Sequence, residues 1–360
     1  MGAPSISIAF IEKAQETIRR GERGIVAMIL KGTTEGATTI FSVSDIPASY
    51  SAENQQWIKN VLLGYETSPR KIIVYMITDV NNYDKALTYL GAQKWNWLVI
   101  PTVQTDEKTA EIVAWIKNQR DNLHLTYKAV LPNMAADYEG IVNVANGYTY
   151  NGTAYTAEQA CARAAGIICG TSDSRSCTYA PLPEASDCDR LDQSALNDAV
   201  DAGKFVFFWD GEKVKVCRGV TSLVTKTTTK GDSFKKIRLV EFMDMIRDDI
   251  TITAQDNFIG KYPNNYDSKC VLISAINEYF HTLISEDILA SGYCEIDIEK
   301  NMEYIRQHGN VVVVGDEEIA LEDASEQQIK EAVTGSYVYL RAVIRMIDAI
   351  EDIVLDVYIG

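Results

Sequence analysis

The chain has 360 residues, 46% of them hydrophobic and 23% charged, enough for two domains with cores of their own and outside the range of a disordered chain. Its formal net charge of −16 argues against nucleic acid as the main partner, because phosphate contacts need a surplus of Lys and Arg. The longest strongly apolar stretches, at 205–209 and 311–314, are far shorter than the ~20 residues of a spanning helix, and Glu12 and Lys13 interrupt the apolar start before a signal-peptide core develops. A protein that folds in a cytoplasm is expected.

The first element in chain order is an extended arm. After Pro4, the residues Ile6, Ile8 and Phe10 alternate with Ser5, Ser7 and Ala9, the period of a strand. Segments 25–30, 72–77, 97–100 and 127–131 are continuously apolar and read as buried strands. Between them, 52–63, 83–90 and 109–120 carry helical spacing. Strand alternating with helix predicts a layered, mostly parallel α/β domain. A small-residue helix follows over 157–169, with Gly170 as its C-cap, and then a polar surface loop over 171–188.

Apolar runs on both sides of Asp210-Gly211 predict a hairpin. Beyond it, helices are expected over 236–249 and 269–284, and strands over 294–298, 311–314 and 338–346, an α+β unit. The final segment is again strand-like: Ile353, Leu355, Val357 and Ile359 share one face, with Asp356 and Tyr358 on the other. Segment 348–352 reads as the hinge from which it departs. Two apolar ends either fold back onto their own domain or add to sheets of neighbouring subunits.

Chemistry is sparse. Phosphate loops, dinucleotide fingerprints, zinc-protease helices and nucleophile elbows are all missing from the sequence. The seven cysteines include no CxxC pair, and gaps of 8, 8 and 11 between Cys161, Cys169, Cys177 and Cys188 match no common zinc spacing; reduced thiols and no metal are expected. Asp79, His124 and Ser172 follow the chain order of a subtilisin triad, but Ser172 comes after a helix where such a nucleophile opens one. Neither a catalytic site nor a cofactor is expected.

Taken together, several segments resemble contractile tail sheath proteins of phages of Gram-positive bacteria and their bacteriocin-like relatives. They are SISIAFIEKAQETIRRGERGIVAMILKG, ARAAGIICGTSDSRSCTYAPLP, VKVCRGVTSLVT and DMIRDDITITAQDNFIGKYPNNYDSK, followed by the C-terminal strand pair, in the family's order. The length is similar to the compact sheaths of small myophages, defective prophages and R-type bacteriocins. The resemblance implies an N-terminal arm (1–20), a subtilisin-like but non-catalytic α/β sheath domain (21–215), an α+β C-terminal sheath domain (216–346) and a C-terminal strand arm (347–360). It further implies stacked hexameric rings around a tail tube, joined by strand exchange between arms, and contraction that drives the tube through a cell envelope without ATP. The implied partners are neighbouring sheath subunits, the tail tube protein, and baseplate and tail terminator proteins. The implied location is a virion tail or bacteriocin particle, assembled in the bacterial cytoplasm and released on lysis.

Charge is segregated in residues 213–238, where eight cations face a single acid, Asp232. This strip is either a solvated face or, over Lys226, Lys230, Lys235, Lys236 and Arg238, a surface facing an acidic tube. Two rival functions are a cytosolic α/β enzyme or small-ligand binder, with its site at the carboxyl ends of the strands near 78–82 or 101–106, and a different phage structural subunit such as a tube or baseplate protein.

Overall fold

The computed structural model describes residues 17–79, 82–314 and 317–359. The chain divides into two compact units, a sheet unit (Glu22–Ile246 with Asp348–Gly360) and a helical unit (Met1–Gly21 with Arg247–Ile347).

The sheet unit runs β1 (Ile25–Lys31), β2 (Gly36–Ile40), α1 (Ala52–Leu62), β3 (Lys71–Ile77), α2 (Asp84–Gly91), β4 (Trp97–Val99), α3 (Thr109–Asp121), β5 (Lys128–Pro132) and β6 (Ile141–Val144). It continues with β7 (Tyr148–Tyr150), β8 (Thr153–Ala154), α4 (Ala157–Cys169), β9 (Ala185–Cys188), α5 (Gln193–Asp201), β10 (Lys204–Phe205), β11 (Phe207–Trp209) and β12 (Val214–Val216). The central sheet has seven strands in the order β10-β6-β5-β4-β1-β3-β2. Every neighbouring pair is parallel except β2 with β3. The sheet is therefore mostly parallel, as the alternation of strand and helix predicts.

Buried residues on both faces explain why these strands are continuously apolar. In β1, Val26, Met28 and Leu30 pack on the side of α1 and α4. Ile25, Ala27 and Ile29 point the other way, into the core shared with α2 and α3. The two helices on the first side approach closely, since a Cβ on Gly166 of α4 would lie 2.4 Å from the Val61 carbonyl oxygen of α1. Thr156 and Gln159 cap α4 reciprocally, a capping box that fixes where the helix starts.

The Asp210-Gly211 hairpin forms as β11–β12, with Phe207 opposite Val216. Gly211 has a φ of 107°, which an L side chain rarely adopts. The segment 171–188 departs from the polar surface loop expected of it. Cys177, Ala180 and Leu182 are buried in the α1/α4 core, and the segment ends in β9.

One buried charge network ties α6 (Ile237–Thr253) to the sheet. Arg120 of α3 holds Asp244 of α6 bidentately, at 2.9 and 3.0 Å, and Lys128 of β5 reaches the same carboxylate at 2.6 Å. The Lys128 ammonium also sits 5.3 Å above the Trp97 ring. Burial works against ionising Asp244, but the Lys128 and Arg120 charges prevail and hold its carboxyl below the ordinary value.

The helical unit holds the last turns of α6, a π-helical turn (Ala254–Phe258), α7 (Tyr266–Ser285), β13 (Leu289–Ile296), α8 (Ile298–Gln307), β14 (Val311–Val314), β15 (Glu317–Ala320), α9 (Glu326–Glu331) and β16 (Leu340–Met346). Strands β13 and β16 pair antiparallel, with Cys294 opposite Ala342, and pack on α7 through residues such as Phe280 and Leu283. The strand expected at 294–298 thus starts five residues earlier, and Ile298 already opens α8, capped by Asp297. The hairpin β14–β15 closes a smaller core of Ile305, Val312, Ile329 and Ala332.

Candidate functional site

Outside both cores stand the C-terminal segment and an open sheet. Within the sheet unit, Asp348 to Asp352 are pinned. The Glu351 side chain is only 5% exposed: its Oε1 accepts from Thr178 Oγ1 at 2.6 Å and from Ser176 Oγ at 3.0 Å, and its Oε2 lies 3.1 Å from Lys236 Nζ and 3.5 Å from Arg218 Nε. Lys236 also bonds Asp348, and Arg218 bonds Asp352. Burial opposes the Lys236 charge, yet the Asp348 and Glu351 carboxylates hold its ammonium above the ordinary value. Segment 348–352, expected to be a hinge, is instead a clasped root.

Beyond Asp352 no described strand holds the segment. Residues 353–359 carry no strand pairing, and their large apolar side chains are 74% (Val357) to 96% (Ile359) exposed. The predicted strand has no pairing partner among the described residues, and a strand is defined by the neighbour that satisfies its backbone. Ile353, Leu355, Val357 and Ile359 all face solvent, as do Val354 and Tyr358 between them. The corresponding N-terminal residues Ile6, Ile8 and Phe10 lie outside the described residues.

The first described residues are also fastened, within the helical unit. Gly21 N donates to Asp249 Oδ1 at 2.7 Å, Arg19 N donates to Thr253 Oγ1 at 3.2 Å, and Arg20 pairs with Glu286. Asp249 in turn accepts from the Tyr279 hydroxyl at 2.7 Å, so one buried carboxylate joins this segment, α6 and α7.

The same unit presents β13–β16, a sheet of two strands whose outer edges pair with no other described strand. Tyr293 of β13 and Val343 of β16 are exposed. Two-stranded sheets are marginal alone, and open edges of seven and eight residues are templates for further strands. A seven-residue arm such as 353–359 has the matching length.

The basic strip is largely consumed internally. Lys230 pairs with the buried Glu139 at 2.7 Å, Lys226 with Asp232 at 2.6 Å, and Lys235 lies 3.7 Å from Asp232. Lys236 grips the C-terminal root, and Arg238 stacks over Phe242 with its guanidinium carbon 5.0 Å from the ring centre. Sequence reading missed the acids that meet these cations, since Glu139, Asp348 and Glu351 are remote in the chain.

The triad Asp79, His124 and Ser172 is not brought together. Asp79 follows the carboxyl end of β3, whereas the Ser172 hydroxyl bonds Glu66, just before the amino end of that strand. Seven strand residues, roughly 23 Å, separate those ends. At the carboxyl edge, Asp106 is saturated by Lys31, Tyr83 and Thr102, and Glu158 accepts from the Gln104 and Thr105 amides. Burial and that carboxylate push the Tyr83 phenol up. Among the described residues no three His, Cys, Asp or Glu side chains cluster as metal ligands, and no helix is long and apolar enough to cross a membrane. Burial in the core pushes the Cys177 thiol up to about 12.

The fold is shared with sheath proteins. The crystal structure of a sheath tail protein from Listeria innocua matches at a TM-score of 0.69 and 16% identity, over 92% of this chain and 97% of that one. The helical sheath of the anti-feeding prophage in its contracted state matches at a TM-score of 0.69 and 13% identity, over 99% of both chains. In sequence, the tail sheath protein of Clostridium phage phiCD119 is 36% identical over 358 residues, 98% of each chain. Residues 79–222 match the phage tail sheath protein central domain, and residues 229–360 match the phage tail sheath C-terminal domain. The chain belongs to the phage tail sheath protein family.

Proposed function

We propose that this chain is the structural subunit of a contractile tail sheath, polymerising around a tail tube as stacked hexameric rings and shortening to drive the tube through a cell envelope. The observation that carries the reading is the exposed apolar arm 353–359 in a sheath-family chain that also bears an open two-stranded sheet. The arms of neighbouring subunits add to the free edges of β13 and β16, so main-chain hydrogen bonds link copies while their other surfaces slide. Heterologous contacts that do not close generate the helix along the axis.

Within this reading, residues 1–20 and 347–360 are the two arms, 21–215 a subtilisin-like domain without catalysis, and 216–346 the inner, mesh-forming domain. The energy of shortening comes from burying more surface between subunits and needs no nucleotide, metal or cofactor. Baseplate and terminator proteins bound the polymer, which assembles in the bacterial cytoplasm and leaves on lysis as part of a phage tail or bacteriocin particle. The cations left for an acidic tube are the exposed Lys226 and, beside the same Asp232, the half-buried Lys235, because Lys230 and Lys236 support the subunit itself. Negative-stain microscopy of the purified protein tests the reading: long, wide, striated cylinders are expected, and thin tubes or discrete particles alone would overturn it.

A further inference from the structure

The sheet unit contains a cavity of about 220 Å³ at the amino edge of its parallel strands, lined among others by Arg23, Thr67, Asn96, Cys169, Arg238 and Phe242. Gly24, with φ of +68°, turns the chain there so that Arg23 lines the cavity just before β1 begins. On another wall lies the first turn of α6, whose residues Ile237, Arg238, Glu241 and Phe242 also line it. Helix amino ends favour negative charge.

Two guanidinium donors here have no acceptor. Arg23 Nη2 and Arg238 Nε are both shielded from solvent and make no hydrogen bond. Arg238 has no ion pair among the described residues and is stacked over Phe242. The Asp348, Asp173 and Glu351 carboxylates favour its charge from a distance, but none of them pairs with it. Glu241 Oε1 accepts from Trp97 Nε1 at 2.6 Å and lies 3.3 Å from Lys128 Nζ, while Asp173 Oδ1 stands 3.7 Å from Arg23 Nη1, too far for a hydrogen bond. Buried donors are nearly always paired, so two orphans on one cavity call for an acceptor from outside the chain.

We propose that this cavity is an oxyanion site in which Arg23 and Arg238 hold a single phosphate or carboxylate group. Guanidinium groups match such oxygens in geometry and charge. A nucleotide does not fit the proposal, since ordinary small-molecule sites begin at about 300 Å³. Burial also pushes the Arg238 guanidinium down from its ordinary value, a cost that an incoming anion reverses. The group comes either from free phosphate or from an acidic side chain of a second copy of this chain.

Isothermal titration of the unassembled full-length protein with inorganic phosphate, and separately with acetate, tests this at low ionic strength. One saturable site per chain is expected for phosphate. Arg238→Gln should weaken it about 10- to 100-fold, the value of a charged hydrogen bond. Arg23→Gln should act in the same direction, and the control Lys213→Gln should bind like the parent. Should Arg238→Gln fail to fold by circular dichroism, Arg23→Gln decides. Absence of saturable binding, or unchanged affinity in the folded arginine variants, overturns the site. Repeating the titration on assembled protein separates the sources: retained binding identifies a free ion, and loss on assembly identifies a neighbour's carboxylate.

Discussion

Removing residues 353–360 separates what the arm does for its own subunit from what it does for others. Its apolar side chains are 74–96% exposed, so their deletion takes almost nothing out of either core. The subunit should lose less than about 1 kcal/mol, and its melting temperature should move by no more than about 4 °C. In a polymer the same residues count differently. Burying Ile353, Leu355, Val357 and Ile359 at about 1.5–3 kcal/mol each is worth roughly 6–12 kcal/mol gross per arm. Ordering the backbone offsets much of that, leaving a few kcal/mol per junction. Losing about 3 kcal/mol raises the dissociation constant of each junction more than a hundredfold, enough to end long polymers. Thermal melts followed by circular dichroism, with sedimentation velocity, give both readings. Truncated protein that still forms long polymers would refute the arm as the link. A fall of more than about 10 °C would refute the claim that it is foreign to its own core.

Asp244→Asn should destabilise the subunit by about 3–5 kcal/mol in denaturant melts, because Lys128 and Arg120 would remain buried without their counter-ion. As the folded pKa of Asp244 is depressed, its contribution is complete above an unfolded value of about 4 and is lost as pH falls through the folded value; Asp244→Asn should flatten that acid limb of stability. Lys236→Glu should loosen the C-terminal root by placing a third carboxylate beside Asp348 and Glu351, read as faster amide exchange over 348–352 with the central sheet still protected. Lys226→Glu should weaken co-assembly with the tube mainly at low salt, measured by co-sedimentation, whereas Lys230→Glu should lower the melting temperature of the subunit alone by setting two carboxylates together at the buried Glu139.

The sheet was legible because its strands are buried on both faces, so runs such as 25–30 and 72–77 contain no polar residue to confuse the period. Helices α1 to α4 were legible from spacing for the same reason. Elements that escaped notice are those whose stability is tertiary. Strand β2 alternates buried and exposed residues over only five positions, and β7 to β9 are two to four residues long, too short for periodicity to register. Helix α8 was hidden by the apolar-looking end of β13; Asp297, which caps it, is the residue that could have marked its start. The alternation at 353–359 is visible in the sequence because alternation is a local property; what such a segment pairs with is not written in it.

The basic strip shows where sequence reading of charge stops. Eight cations with one acid between 213 and 238 look like a surface awaiting a partner of opposite sign, and the count is correct. Coulomb attraction, however, acts through space and has no regard for chain order. Folding brings Glu139 beneath Lys230, and it brings Asp348, Glu351 and Asp352 against Lys236 and Arg218. The partners of much of the strip are therefore the chain's own acids, and its clearest result is to fix the point at which the C-terminal arm leaves the subunit. Under the proposed function that placement suits the arm, since a link that carries load between copies needs a stiff origin and a compliant reach. Arg238 is the exception within the strip. It lines the cavity at the amino edge of the sheet, and no carboxylate stands within ion-pair distance of it among the described residues.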